Sequence, residues 1–123
     1  MIVVNLFCRE DGVVKECRAN GHAFFSSKGS DIVCAAVTIL LKTAVSLVFE
    51  LSKSGEIKVE ADLSRRGNLA FRVDFLNKAS EKTQERLRCI ADFVRSGVSS
   101  IEKEFPKNVH LIEERDKSKN TEA

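Results

Sequence analysis

Between Asp31 and Lys53 the chain is dense in apolar residues, and the polar ones fall mainly at Thr38, Lys42, Ser46, Glu50 and Lys53. Steps of four, four, four and three are helical spacing, so the segment predicts one long helix carrying a narrow polar stripe. Few folds accommodate such an element. Its apolar arc is too wide for a single sheet to cover, so another helix or another subunit must take the remainder. Carried backwards, the stripe reaches Cys34 and Asp31, which places a thiol on the face not committed to the core. Thr38, Lys42, Thr43, Ser46 and Glu50 interrupt the apolar run and would be costly in hydrocarbon, so a soluble protein with no membrane partner is expected.

The flanking segments supply strands. Ile2–Cys8 and Val13–Ala19 favour strand, and the Asp11-Gly12 pair between them is a hairpin turn signal. Residues 20–30 hold glycines and serines without a sustained period, so they read as a loop bearing His22 and the pair Phe24-Phe25. After Ser54-Gly55, residues Ile57, Val59, Ala61 and Leu63 alternate with polar neighbours. A polar turn at 64–68 leads to Leu69, Phe71, Val73 and Phe75, making a second hairpin. A second helix starts at the N-cap Ser80 and runs to about Phe105, where Pro106 ends it. Val109 and Leu111 flank His110 in a short last strand. The expected fold is α+β: a two-layer sandwich of order β-β-α-β-β-α(-β), with a mostly antiparallel sheet and the helices on one face. Residues 1–112 form one domain, and 113–123 read as a charged, disordered tail.

Lysine and arginine total 20 against 18 aspartates and glutamates, a net charge of +2 with the signs mixed, so nothing demands nucleic acid as a partner. The first residues lack the basic segment, apolar stretch and cleavage site of a secretory signal, and a cytoplasmic location is expected. In that reducing compartment Cys8, Cys17, Cys34 and Cys89 would be free thiols. No Cys-x-x-Cys pair is present, and a zinc site would have to gather ligands from distant segments. Cys8, Cys17 and Cys89 read as structural, and His110 as a surface residue without an acidic partner in its own strand.

A thiol becomes a nucleophile when its thiolate is populated, and a helix N-terminus beside an imidazole favours that anion. With Asp31 as N-cap, Cys34 is the third helical residue, where free N–H groups and the macrodipole stabilise negative charge and could hold an oxyanion. His22 lies twelve positions earlier, across a glycine-bearing loop that can fold back. Each residue also has a plainer reading. Cys34 could be a buried structural cysteine, His22 an idle loop residue, Asp31 only a cap, and Thr38 only part of the solvated stripe. Phe24 and Phe25 could reach into the core or form a lid over an apolar peptide.

The stretch from Gly21 to Thr38 resembles the signature of the ribosomal-processing cysteine protease family, through Gly21-His22, Gly29, Asp31-Ile32 and Cys34-Ala35. The resemblance implies an endopeptidase, without metal or cofactor, that removes a short N-terminal extension from a large-subunit ribosomal protein. In it His22 is the general base and Cys34 the nucleophile, in a homodimer with a mobile loop ahead of the first helix. It further implies an apolar substrate motif with Phe near the cut, suited to a cleft lined by Gly21, Phe24, Phe25, Gly29 and Ile32. Asp31 would cap the helix, orient His22, or both. Thr38 stands where the family commonly has Ser, keeping the hydroxyl and adding a methyl. The competing readings are a non-catalytic dimeric module regulating ribosome assembly, and a thiol redox sensor, for which the sequence offers no close resolving cysteine.

Overall fold

Asp11 and Gly12 reverse the chain as the sequence predicts: Gly12 N donates to Arg9 O at 2.9 Å and Arg9 N to Val13 O at 2.8 Å. The resulting hairpin, β1 (Ile2–Arg9) and β2 (Val14–Asn20), opens the element order α1 (Lys28–Ser52), β3 (Ile57–Arg65), β4 (Asn68–Phe75), α2 (Glu81–Glu104) and β5 (Val109–Asp116). The computed structural model describes residues 1–21, 28–65 and 67–116, with 28–31 described by backbone alone. The sheet order is β3-β4-β2-β1-β5. Both hairpins are antiparallel, β2 joins β4 antiparallel, and only the β1–β5 pair is parallel. This is the expected α+β sandwich.

The core forms where inward-facing strand residues such as Val4, Leu6, Phe71 and Ile57 meet Leu41 and Val48 of α1 and Leu87 and Val94 of α2. Burying one such side chain contributes roughly 1.5–3 kcal/mol. By length and composition, Ile32–Ser52 is apolar enough to cross a membrane. Its Val33, Val37, Leu41, Ala44, Val45 and Val48 are instead committed to this core. α2 takes a second flank of α1, with Leu40 packed directly over Gly97. Apolar surface is still left over, because Ile32 is 58% and Ile39 64% exposed. The stripe residues Lys42, Ser46 and Glu50 are exposed as expected, while Thr38 and Cys34 are half-buried.

Ser80 caps α2 as predicted: its hydroxyl accepts from Thr83 N at 3.1 Å, and its own N–H donates to Glu56 Oε1 at 2.6 Å. Two boundaries differ from the sequence reading. α1 begins at Lys28, not at an Asp31 cap, so Asp31 is the fourth helical residue. An acidic residue suits the first turn as well as the cap, so its presence alone did not fix the register. β5 runs through Asp116, so residues 113–116 are strand and not tail. Pairing with β1 holds them although they are charged: Glu113 lies opposite Leu6, and its carboxylate binds the Arg95 guanidinium at 2.6 Å. The remainder of the expected tail, 117–123, lies outside the described residues.

Candidate active site

The chain leaves the sheet at Gly21, and the geometry there is tightly set. Gly21 N donates to Gly67 O at 2.9 Å, which extends the β2–β4 ladder by one more pair. Its φ is 116°, and a Cβ at this position would lie 2.2 Å from the Met1 carbonyl oxygen and 3.2 Å from Ile2 Cα. Only glycine fits both the torsion and the space. Gly21, read from the sequence as a substrate-binding residue, is thus fixed in place at the end of β2. Gly67 and Met1, which hold it, were not anticipated. The β4 register was the available signal, since continuing the pairing of Asn20 with Asn68 sets 21 opposite 67.

His22, Phe24 and Phe25 lie outside the described residues. The chain is next described at Lys28, where α1 starts; Gly29 is its second residue and Cys34 its seventh. The expectation that Cys34 is the third helical residue is therefore corrected. Cys34's own amide sits within the i→i−4 ladder, unavailable to an oxyanion. Cα–Cβ bonds tilt towards the helix N-terminus, so the sulfur still leans towards that end. Ile32 projects into solvent, and Thr38 follows Cys34 by one turn with a half-buried side chain.

The four thiols are sharply sorted. Cys8 and Cys17 are sealed in the core at 0% exposure, and burial raises both pKa values, that of Cys17 to about 12. Cys34 packs against the core while remaining half-exposed. Cys89, read from the sequence as structural, is exposed on α2 in an apolar groove of about 330 Å³ with Leu47, Leu51, Ile90 and Phe93. It stands just off the buried Leu87–Ile90–Val94 stripe, a displacement too small for periodicity to resolve. His110 is a surface residue as expected, with its ring Nδ1 2.8 Å from Glu102 Oε2 of α2. Among the described residues, no three His, Cys, Asp or Glu side chains gather to hold a metal ion.

A family model described as cysteine protease Prp matches residues 1–110. No curated protein matches the sequence. Among solved structures, the ribosomal processing protease Prp from S. aureus in complex with a substrate peptide superposes at TM-score 0.69 and 21% identity, over 92% of this chain and 99% of that one. The same protease with a covalently linked product peptide gives 0.65 at 24% identity, with the same coverages of 92% and 99%. SMU.848 from Streptococcus mutans gives 0.67 at 22%, over 94% of this chain and 96% of that one. At these identities the structural likeness is one of fold.

Proposed function

Because the chain belongs to the cysteine protease Prp family, and is thereby a cysteine protease, we propose that His22 and Cys34 form its catalytic dyad. The observation that carries this reading is the sorting of the thiols. Cys8 and Cys17 are sealed, Cys89 stands on α2, and Cys34 is the part-exposed thiol on the helix that follows the His22 segment. In the proposed reaction the imidazole takes the thiol proton, and the thiolate adds to the scissile carbonyl carbon. The tetrahedral oxyanion collapses, breaking the C–N bond, and the imidazolium gives its proton to the departing amine. Water, deprotonated by the same imidazole, then hydrolyses the thioester and restores the thiol. Asp31 and Thr38 act as supporting groups, and Gly29 and Ile32 contribute to the substrate cleft with Phe24 and Phe25.

The substrate we propose is the N-terminal extension of a large-subunit ribosomal protein, cut in the cytoplasm without metal or cofactor during ribosome assembly. We further propose that the enzyme works as a homodimer. Ile32, Ala35 and Ile39 are exposed on one face of α1 among the described residues, and that apolar exposure supports self-association.

The test is cleavage of a Phe-containing apolar peptide by wild type, Cys34→Ala and His22→Ala, with fold checked by circular dichroism. Both variants should lose cleavage and keep the fold; a variant cutting at the wild-type rate removes its residue from the dyad. Mass mapping after limiting iodoacetamide is best done in a Cys89→Ser background, because exposed Cys89 would otherwise compete with Cys34 for the reagent.

A further inference from the structure

The strand order leaves β3 at one edge of the sheet, and among the described residues it pairs only with β4. Its free side can be read from one bond. Leu76 N donates to Glu56 O at 3.0 Å, and those residues continue the register that sets Ile57 opposite Phe75. In an antiparallel ladder hydrogen-bonded and non-bonded pairs alternate, so Lys58, Glu60 and Asp62 direct their backbone groups at β4. Ile57, Val59 and Ala61 direct theirs outward. Side chains at these outward positions point to the helix layer, where Ile57 enters the core and Val59 packs against it.

What lies beside that edge is the flank of α1 bearing Cys34. At about 100° per residue, Thr38, Val45 and Phe49 fall within about 60° of the Cys34 direction. Leu40, Leu47 and Leu51 lie on the opposite flank, against α2. Between the Cys34 flank and β3 is a hollow of about 700 Å³, whose walls include Lys42, Val45, Phe49 and Leu63. Phe49 is 45% exposed there. From Cys34 the helix rises about 12 Å to the level of Lys42 and about 22 Å to that of Phe49, which an extended chain covers in about four to seven residues.

We infer that the β3 edge and this hollow form an extended subsite in which the polypeptide substrate adds as a strand, hydrogen-bonding the outward amides and carbonyls of Val59 and Ala61. An apolar side chain of the substrate, about four to seven residues from the cut, enters between Phe49 and Leu63. This rests on Cys34 being the nucleophile. Edge addition supplies binding through main-chain bonds and selectivity through alternate side chains, and it delivers a segment already extended to the thiol. The bulge between Asp62 and Arg65 ends the flat part of the edge near the β3–β4 turn, which limits the paired stretch to its first half.

The experiment compares a twelve-residue, Phe-containing peptide with a hexamer centred on the same cut. Ala61 is exposed and its N–H faces outward, so Ala61→Pro removes one edge donor without touching the β4 ladder. It should raise KM for the twelve-residue peptide about three- to tenfold, leaving kcat and all hexamer constants unchanged. Phe49→Ser should act in the same way. Single N-methylation of backbone amides along the long peptide, assayed with the wild-type enzyme, should weaken binding at alternate residues and needs no protein variant to fold. Unchanged KM in the variants together with a flat methylation scan overturns the inference. If Ala61→Pro dissociates a dimer while KM holds, a second copy occupies the edge and the inference is also overturned. Loss of hexamer cleavage by Cys34→Ala is a separate readout, so a failed dyad is distinguishable from a failed subsite.

Discussion

Replacing Gly21 by Ala tests how rigidly the end of β2 is held against Met1. A residue with a side chain at φ 116° is in a region that costs of order 1–3 kcal/mol. The added Cβ also lands 2.2 Å from the Met1 carbonyl oxygen, a backbone atom unable to rotate away, and such overpacking adds about 1–3 kcal/mol. The sum is about 2–6 kcal/mol. At roughly 4 °C per kcal/mol for a domain of this size, the midpoint of thermal unfolding should fall by about 8–24 °C. Gly55 provides the control, because its φ is 83° but a Cβ there meets nothing within 4 Å. Gly55→Ala therefore isolates the torsional cost, and the excess at Gly21 measures the collision. Calorimetry of the two variants beside wild type gives both numbers. Equal losses would refute the reasoning, since the Met1 carbonyl would then be yielding freely.

Glu113→Gln should lower the urea midpoint at pH 7 by an amount equivalent to about 0.5–1 kcal/mol, because the pair with Arg95 is only partly screened. Hydrogen bonds from Arg95 hold the Glu113 carboxyl below its ordinary pKa, so its contribution is full above about pH 4.3 and is lost as pH falls through the lowered folded value. The difference between wild type and variant should accordingly vanish in strong acid. Ser80→Ala should cost about 1 kcal/mol in denaturant melts through the lost cap on α2. Phe71→Ala, at 1% exposure in mid-sheet, should cost about 3–5 kcal/mol by the same measurement. Cys8 and Cys17 should resist iodoacetamide at neutral pH until urea is added, as burial keeps both thiols protonated.

The fold was legible because its periodicities are clean. Alternation in Leu69–Phe75 and the three-and-four spacing of Leu87, Ile90, Val94 and Val98 each admit one solution, and Asp11-Gly12 and Ser80 punctuate them unambiguously. Ends were less legible where local preference is degenerate. Lys28, Gly29 and Ser30 have the composition of a loop, yet they form the first turn of α1. Glu113–Asp116 has the composition of a tail, yet parallel pairing with β1 and the bond to Arg95 make it strand, and neither partner is near in sequence. The place of Cys34 within α1 was misread because the helix start was, whereas the demands on Gly21 come from Met1 and Gly67. Contacts spanning such distances leave no local pattern.

The first and last strands lie side by side, and Ile2 N is held by Asn108 O at 2.8 Å. The carbonyl that constrains Gly21 is thus secured by a segment synthesised about a hundred residues later. A half-made chain emerging from a ribosome can form both hairpins and α1, but it lacks the strand that braces Ile2, and with it Met1, against Gly21. The turn at Gly21 therefore reaches its final packing only once the last strand has docked beside the first.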